Sequence, residues 1–372
     1  MGPRLTQRVL HVCESTVGGV GVFIRDLALD QVHRGVTVAV AVPGGGPLLD
    51  DLLAGGVRVF PWDARPEPGP SLPRELVRLT RIMDAFGPDV IHLHSSKAGL
   101  VGRLLVRGRR PTIMQPHSWS FFAKTGRVRD AALLWERVGS RLADVVLCVS
   151  EDERRLGGVE GVRAEFRVLP NGVDLASFTR PAPGDRGAAR LRLGLGDEPL
   201  AVCLGRLHRQ KNQAALLDVW PDVRAAVPGA RLALIGDGPD RRDLAAREVE
   251  GVELVGQIDD PRSWLAAASL VVQPSRWEGM SLSVLEAMAA ARSVVVTDVP
   301  GMREVVVDGA GAVVAPEQPA ELLAAVVRRL GDVDLGDAEG RTGRAWVEAH
   351  HDRRVQFDGI AALYDELERR RK

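Results

Sequence analysis

Apolar residues in this chain come in short runs, separated by longer stretches where apolar and polar positions mix at helical spacing. Residues 8–13, 36–42, 57–60, 89–93, 112–115 and 145–149 are β-branched or apolar with little alternation, the pattern of strands covered on both faces. Between them, residues 22–33, 48–54, 72–86, 97–106 and 128–142 read as helices, and Val17-Gly18-Gly19-Val20-Gly21 as a loop after the first strand. Strands alternating with helices of this length predict βαβ units around a parallel sheet. The rhythm pauses at Asn171-Gly172-Val173-Asp174 and at the Pro/Gly-rich stretch Arg180-Pro181-Ala182-Pro183-Gly184-Asp185. It then restarts, with strands expected at 200–204, 231–235, 252–255, 270–273, 293–297 and 312–314. Helices are expected at 212–227, 240–248, 261–267, 281–290 and 319–330, and the closing pattern, 355–371, is helical and highly charged. A chain of 372 residues organised this way predicts an α/β protein of two halves.

Candidate chemistry gathers in the loops that follow strands of the second half. Residues 270–273 run into Pro274 and then into Ser275-Arg276-Trp277-Glu278-Gly279-Met280-Ser281, which opens an apolar helix carrying Glu286. The N–H groups of Gly279, Met280 and Ser281 lead into a helix N-terminus, which suits phosphate, while Glu278 and Glu286 suit sugar hydroxyls. The plain alternative is a capping box, Ser283 with Glu286, and a solvated Glu278. Earlier, Gly205-Arg206-Leu207-His208-Arg209-Gln210-Lys211-Asn212 places two cations, Arg206 and Lys211, between a strand and a helix. Arginine grips phosphate bidentately and lysine acts as a point charge, so the loop fits a diphosphate; an exposed basic loop is the alternative. Gly236-Asp237-Gly238-Pro239 is a further turn after a strand.

Composition narrows the field. Cys13, Cys148 and Cys203 are far apart and each sits in an apolar run, so they read as buried thiols. No signal-like segment opens the chain and no apolar run is long enough to span a membrane, so a cytoplasmic setting is expected. Neither CxxC nor HExxH occurs, and no metal site is expected. His92 and His94 alternate on a strand, but no carboxylate or third histidine is expected to join them, and they read as cleft-lining or structural. Gly18-Gly19-Val20-Gly21 is not the dinucleotide fingerprint. Net charge is zero and no nucleic-acid partner is expected, but residues 97–141 hold ten cations against Asp130 and Glu136.

Glu278-Gly279-Met280-Ser281-Leu282-Ser283-Val284-Leu285-Glu286-Ala287-Met288 resembles the E-x7-E motif of retaining GT-B glycosyltransferases of family 4, and Gly205-Arg206-Leu207 with Lys211-Asn212 resembles their phosphate motif. The likeness continues through Gly236-Asp237-Gly238-Pro239, through Val255-Gly256-Gln257-Ile258, where the family's backbone meets the base, and through the hinge-like Asn171-Gly172-Val173-Asp174. It implies a GT-B fold: an N-terminal, acceptor-binding Rossmann-like domain over 1–178, a C-terminal, nucleotide-sugar-binding one over 179–350, a cleft between them, and a helix over 351–372 crossing back. It implies transfer of a glycosyl group from a nucleotide sugar to an acceptor hydroxyl with retention, without a metal. Arg206 and Lys211 would then meet the diphosphate, Glu278 the sugar and Glu286 the ribose. The backbone of Gly279, Met280 and Ser281, with Gly236, Gly238 and Ile258, would line the donor, and Gly18, Gly19 and His117 would face it from the other half. Met280-Ser281 departs from the commoner Phe-Gly or Leu-Pro of the family, which leaves sugar identity open. A sugar-nucleotide epimerase of the same fold and a non-catalytic two-domain binding protein are the rivals.

After His117 comes Ser118-Trp119-Ser120-Phe121-Phe122-Ala123-Lys124, inside the basic stretch. Apolar wedges beside cations suit an anionic membrane surface or a lipid-linked pyrophosphate, so peripheral contact with the inner leaflet through the N-terminal half is expected. The run also looks like family members that extend lipid-linked sugars. Two alternatives stand: the aromatics pack under the loop, or the acceptor is a small soluble molecule.

Overall fold

The computed structural model describes residues 7–65, 67, 69–178, 182 and 184–371. Of the Pro/Gly-rich joint, Arg180, Pro181 and Pro183 lie outside the described residues. The chain divides into two compact units, Met1–Pro170 with Gln356–Lys372, and Asn171–Val355. The divisions fall at 170/171 and 355/356, where 178/179 and 350/351 were expected. A bridge between Val173 and Asp352 joins the two strands of chain entering and leaving the second unit.

The first unit holds β1 (Arg8–Cys13), β2 (Thr37–Val42), β3 (Arg58–Pro61), β4 (Val90–His94), β5 (Thr112–Gln115), β6 (Val145–Cys148) and β7 (Phe166–Val168). They form one seven-stranded sheet in the order β3-β2-β1-β4-β5-β6-β7, every pair parallel. Alternate residues feed two cores: Val9, Val40 and Ile113 pack with Ile24 and Leu27 on one face, while Leu10, Val12 and Ile91 pack with Leu79 and Val101 on the other. The closing helix Arg353–Arg369 buries Phe357, Ile360, Tyr364 and Leu367 in the first of these cores, at the i, i+3, i+4 spacing of one helix face. Each such side chain contributes about 1.5–3 kcal/mol by leaving water. The expected return of the chain to its N-terminal half is therefore a packed interface.

The second unit holds β8 (Leu200–Leu204), β9 (Arg231–Ile235), β10 (Val252–Gly256), β11 (Leu270–Gln273), β12 (Ser293–Thr297) and β13 (Gly311–Val314). Their order is β10-β9-β8-β11-β12-β13, again all parallel. Strand order reverses beside β1 in one sheet and beside β8 in the other, and ligands of such sheets bind at these switch points.

Helices Glu151–Val159, Asp185–Arg192 and Met302–Val305 were not expected from the sequence, and three further differences have a plain physical reason. The Gly18–Gly21 stretch is the first turn of the helix Gly18–His33, because Gly18 takes φ +69° and Gly21 lets that turn close on Thr16, whose carbonyl oxygen would lie 2.9 Å from a Cβ. Helix Val333–His350 was missed, since its glycines count against helix in isolation. They are there for packing: a Cβ on Gly340 would lie 2.1 Å from the Ala291 carbonyl oxygen. Strand β7 was missed because it is three residues long, at the sheet edge, with Arg167 at its centre.

Candidate functional site

In the second unit, loops leave the C-terminal ends of β8, β9, β10 and β11 on one edge of the sheet. Glycines let these loops touch. A Cβ on Gly236 would lie 2.2 Å from the Gly205 carbonyl oxygen, and one on Gly238 would lie 2.2 Å from that of Leu207. Leu207 N donates to Asp237 O at 3.0 Å, and Arg276 N to Gln210 O at 2.8 Å, so the loops after β8, β9 and β11 form one hydrogen-bonded platform. Gln210 Nε2 adds a bond to Trp277 O at 3.0 Å.

Lys211 and Glu278 meet on this platform. Lys211 Nζ lies 2.6 Å from Glu278 Oε1, with the two side chains 16% and 8% exposed. Ser275 Oγ donates to the same oxygen at 2.7 Å. With its amide oriented to satisfy both ends, Gln273 accepts from Lys211 Nζ at 3.2 Å and donates to Leu204 O. An ammonium has three donors, so two are used and one remains. No described residue bonds Glu278 Oε2, which leaves an acceptor beside the spare donor. Arg206 is exposed, and among the described residues no acid pairs with it. Gly279, Met280 and Ser281 are buried, and Asn171 Nδ2 donates to Met280 O at 2.9 Å. Ile258 is half-buried in the loop after β10.

The capping-box alternative fails. The helix Leu282–Ala289 has Ser281 at its N-cap, and Ser281 Oγ pairs with Ser283 Oγ at 3.0 Å. Ser283 thus lies inside the helix and not at its N-cap, so Ser283 and Glu286 do not form the box. Glu278 is likewise no solvated loop acid.

In the first unit, the register of β1 on β4 sets His11 beside His92, with Cys13 beside His94. A third histidine does therefore join His92 and His94, contrary to the sequence reading. Their ring nitrogens lie within 4.8 Å of one another, a spacing that a metal ion can bridge. His11 Nδ1 and His94 Nε2 already bond each other at 3.0 Å, however, and a metal bridging those two atoms would break that bond. His94 Nδ1 reaches His117 Nε2 at 3.0 Å. Desolvation pushes His11 down to about 4 and His117 to about 3, and holds His92 and His94 well below the ordinary histidine value, so all four rings are neutral near pH 7. Glu14 caps the helix Ser95–Val106, accepting from Lys97 N and Ala98 N at 3.1 Å each.

The aromatic wedge expected after His117 is core instead. Trp119 and Phe121 are 1% and 0% exposed, Trp119 Nε1 donates to Glu153 O, and Phe122 packs against the same cluster. Two cations of the basic stretch are also interior: Lys97 pairs with Glu75 at 2.9 Å, and Arg103 grips Glu136 through two bonds of 2.8 and 3.0 Å.

Comparison with known proteins bears on this geometry. Residues 17–177 match the family described as Glycosyltransferase Family 4, and residues 198–332 the one described as Glycosyl transferases group 1. The phosphatidyl-myo-inositol mannosyltransferase of Mycobacterium tuberculosis is 30% identical over 83% of this chain and 82% of that protein. The chain belongs to the family 4 glycosyltransferases. A GDP-mannose-dependent alpha-(1-6)-phosphatidylinositol monomannoside mannosyltransferase of M. tuberculosis is 29% identical over 92% of this chain and 91% of its own. A GDP-mannose-dependent monoacylated alpha-(1-6)-phosphatidylinositol monomannoside mannosyltransferase of Corynebacterium glutamicum is 33% identical, and there the match spans 59% of the relative's length. Among solved structures, a sucrose-phosphate synthase from Thermosynechococcus elongatus superposes with a TM-score of 0.83 at 22% identity, over 97% of this chain and 99% of that one. With two parallel-sheet α/β units and such a neighbour, this family 4 chain has the GT-B fold.

The structure brings Lys211, Glu278 and the 279–281 backbone together on the platform, next to the Gly236 and Gly238 turn. The sequence reading missed Ser275 and Gln273, which hold the Lys211–Glu278 pair, and His11, Gln31 and Tyr364, which surround His92 and His94. A polar residue inside an otherwise apolar strand, as His11 and Gln273 are, was the available signal.

Proposed function

We propose that this chain transfers a mannosyl group from GDP-mannose to a hydroxyl of a membrane glycolipid, with retention and without a metal ion. The observation that carries the reading is the Lys211–Glu278 pair, with one ammonium donor and one carboxylate oxygen unspent at the switch point of the second sheet. The names of the mannosyltransferase relatives support the choice of donor and of a lipid-borne acceptor. In the step proposed, the bond from the anomeric carbon to the diphosphate breaks. The acceptor oxygen bonds that carbon on the same face, and its proton passes to the departing phosphate oxygen. Lys211 and Arg206 stabilise the growing charge on the diphosphate, commonly the largest catalytic contribution. Glu278 Oε2 holds a sugar hydroxyl, and Glu286 the ribose.

The test is a thermal-shift panel of GDP-, UDP-, ADP- and dTDP-sugars, followed by product analysis with and without EDTA. A ligand at ~100 times its Kd adds about 2.7 kcal/mol of stability. GDP-mannose should give the largest shift, and the product should keep the donor's anomeric configuration in EDTA. Inversion, or a metal requirement, would refute the corresponding part, and isomerised nucleotide sugar without acceptor would favour an epimerase.

A peripheral position on anionic membrane belongs to the same proposal, now resting on the helix Gly126–Gly139. Its Val128, Leu134 and Val138 are 60%, 62% and 55% exposed, beside exposed Arg127, Arg137 and Arg141. No described helix is long and apolar enough to cross a membrane. Sedimentation with anionic liposomes should show salt-sensitive binding that weakens in Leu134→Asp/Val138→Asp. Equal binding by that variant would remove this helix from the account.

A further inference from the structure

Four side chains from separate elements form one hydrogen-bonded line in the first unit. Gln31 Oε1 lies 2.8 Å from His11 Nε2. His11 Nδ1 lies 3.0 Å from His94 Nε2, and His94 Nδ1 lies 3.0 Å from His117 Nε2. Neighbouring rings sit 5.3 Å apart and nearly parallel, at 25° and 24°. Gln31, His11 and His94 are buried, and His117 is half-buried at the end of the line.

A neutral imidazole has one N–H and one lone pair, and an amide oxygen only accepts. Beside Gln31 Oε1, His11 must therefore carry its proton on Nε2. That leaves His11 Nδ1 as an acceptor, so His94 must donate from Nε2. His94 Nδ1 then accepts, and His117 in turn donates from Nε2. Each ring's tautomer follows from the one before, and the line ends with a lone pair on His117 Nδ1, which no described residue bonds. The amide is itself oriented: Gln31 Nε2 faces Tyr364 OH at 3.4 Å, and Tyr364 OH lies 2.7 Å from His92 Nδ1. At the other end, His117 and Ser118 take φ +58° and +115°, rare for residues with side chains. Ser118 N donates to Glu153 Oε1 at 2.6 Å and pins that turn.

We propose that Gln31, His11 and His94 are positioning residues that fix the tautomer of His117, so that its Nδ1 is a ready acceptor for a substrate hydroxyl. The relay rests on the glycosyltransferase reading only for the identity of that hydroxyl. Turned the other way, the Gln31 amide would reverse every proton in the line and present an N–H from His117 Nδ1 instead. The closing helix contributes through Tyr364, whose hydroxyl accepts from the Gln31 amide at the far end of the line.

The test is long-range 1H–15N correlation on full-length protein labelled at histidine, read at pH 7. His11, His94 and His117 should each be protonated at Nε2 and bare at Nδ1. Gln31→Met, close in size but without the amide, should change the pattern at His117, three links away. It should also raise KM for one of the two substrates by about tenfold, with GDP affinity unchanged. Gln31→Glu, which keeps an accepting oxygen, should restore the pattern. A proton on His117 Nδ1 in the wild type would overturn the proposal. So would an unchanged His117 in Gln31→Met, or a changed one with wild-type KM. Should Gln31→Met fail to fold, the wild-type spectrum and Tyr364→Phe, which removes the hydroxyl facing the amide, decide the matter. A wild type that binds no nucleotide sugar would refute the glycosyltransferase reading, and the spectrum would still decide the relay.

Discussion

Lys211→Met separates stability from chemistry at the Lys211–Glu278 pair. The ammonium lies 2.6 Å from a carboxylate only 8% exposed. Without it, Glu278 Oε1 keeps a single neutral donor, Ser275 Oγ. Breaking a buried pair by removing one partner costs about 3–5 kcal/mol, because the other charge stays uncompensated. Lys211 is itself 16% exposed, so the lower end applies. For the unit spanning Asn171–Val355, 3 kcal/mol corresponds to a fall in Tm of roughly 6–12 °C. The lost phosphate donor should slow transfer on the order of a hundredfold or more. The double variant Lys211→Met/Glu278→Leu removes both charges. It should regain most of the stability while remaining as inactive as the single variant. Calorimetric melts, GDP titration and turnover on all three chains read the two effects apart. A double variant no more stable than Lys211→Met would refute the buried-pair account, and wild-type GDP affinity in Lys211→Met would refute the phosphate role.

Further outcomes follow from the same geometry. Glu286→Gln should weaken GDP binding, read by calorimetric titration, and wild-type GDP affinity in that variant would refute the ribose role. Gly301→Ala should destabilise by roughly 1–3 kcal/mol and impair donor binding, since φ is +79° and a Cβ would lie 1.9 Å from the Gly279 carbonyl oxygen; urea unfolding and GDP affinity measure both. Stability should fall as pH drops from about 6.5 to 4, because the unfolded chain's histidines, near 6.5, bind protons that the folded chain refuses. His11, held at about 4, accounts for about 3 kcal/mol of that window, partly offset by Glu14, whose carboxyl burial raises. Urea midpoints that stay flat between pH 7 and pH 5 would contradict it.

The sequence by itself determined the strands and most of the helices, because a strand buried on both faces has to be apolar throughout and the loops between need Gly and Pro. It also determined the loops of the candidate site, since Gly205, Arg206, Lys211, Gly236, Gly238 and Glu278 are short-range patterns read directly after strands. It failed at elements held by long-range contact: a glycine-bearing helix pressed against Ala291, and a three-residue edge strand. It left two choices at Glu286 and at Trp119, which depended on where a helix starts and on what covers a loop. Only the tertiary structure decided those, and only it joined Lys211 to Glu278 across 67 residues and His11 to His94 across 83. Strand order and register set such meetings, and neither is written in the local pattern of the residues that meet.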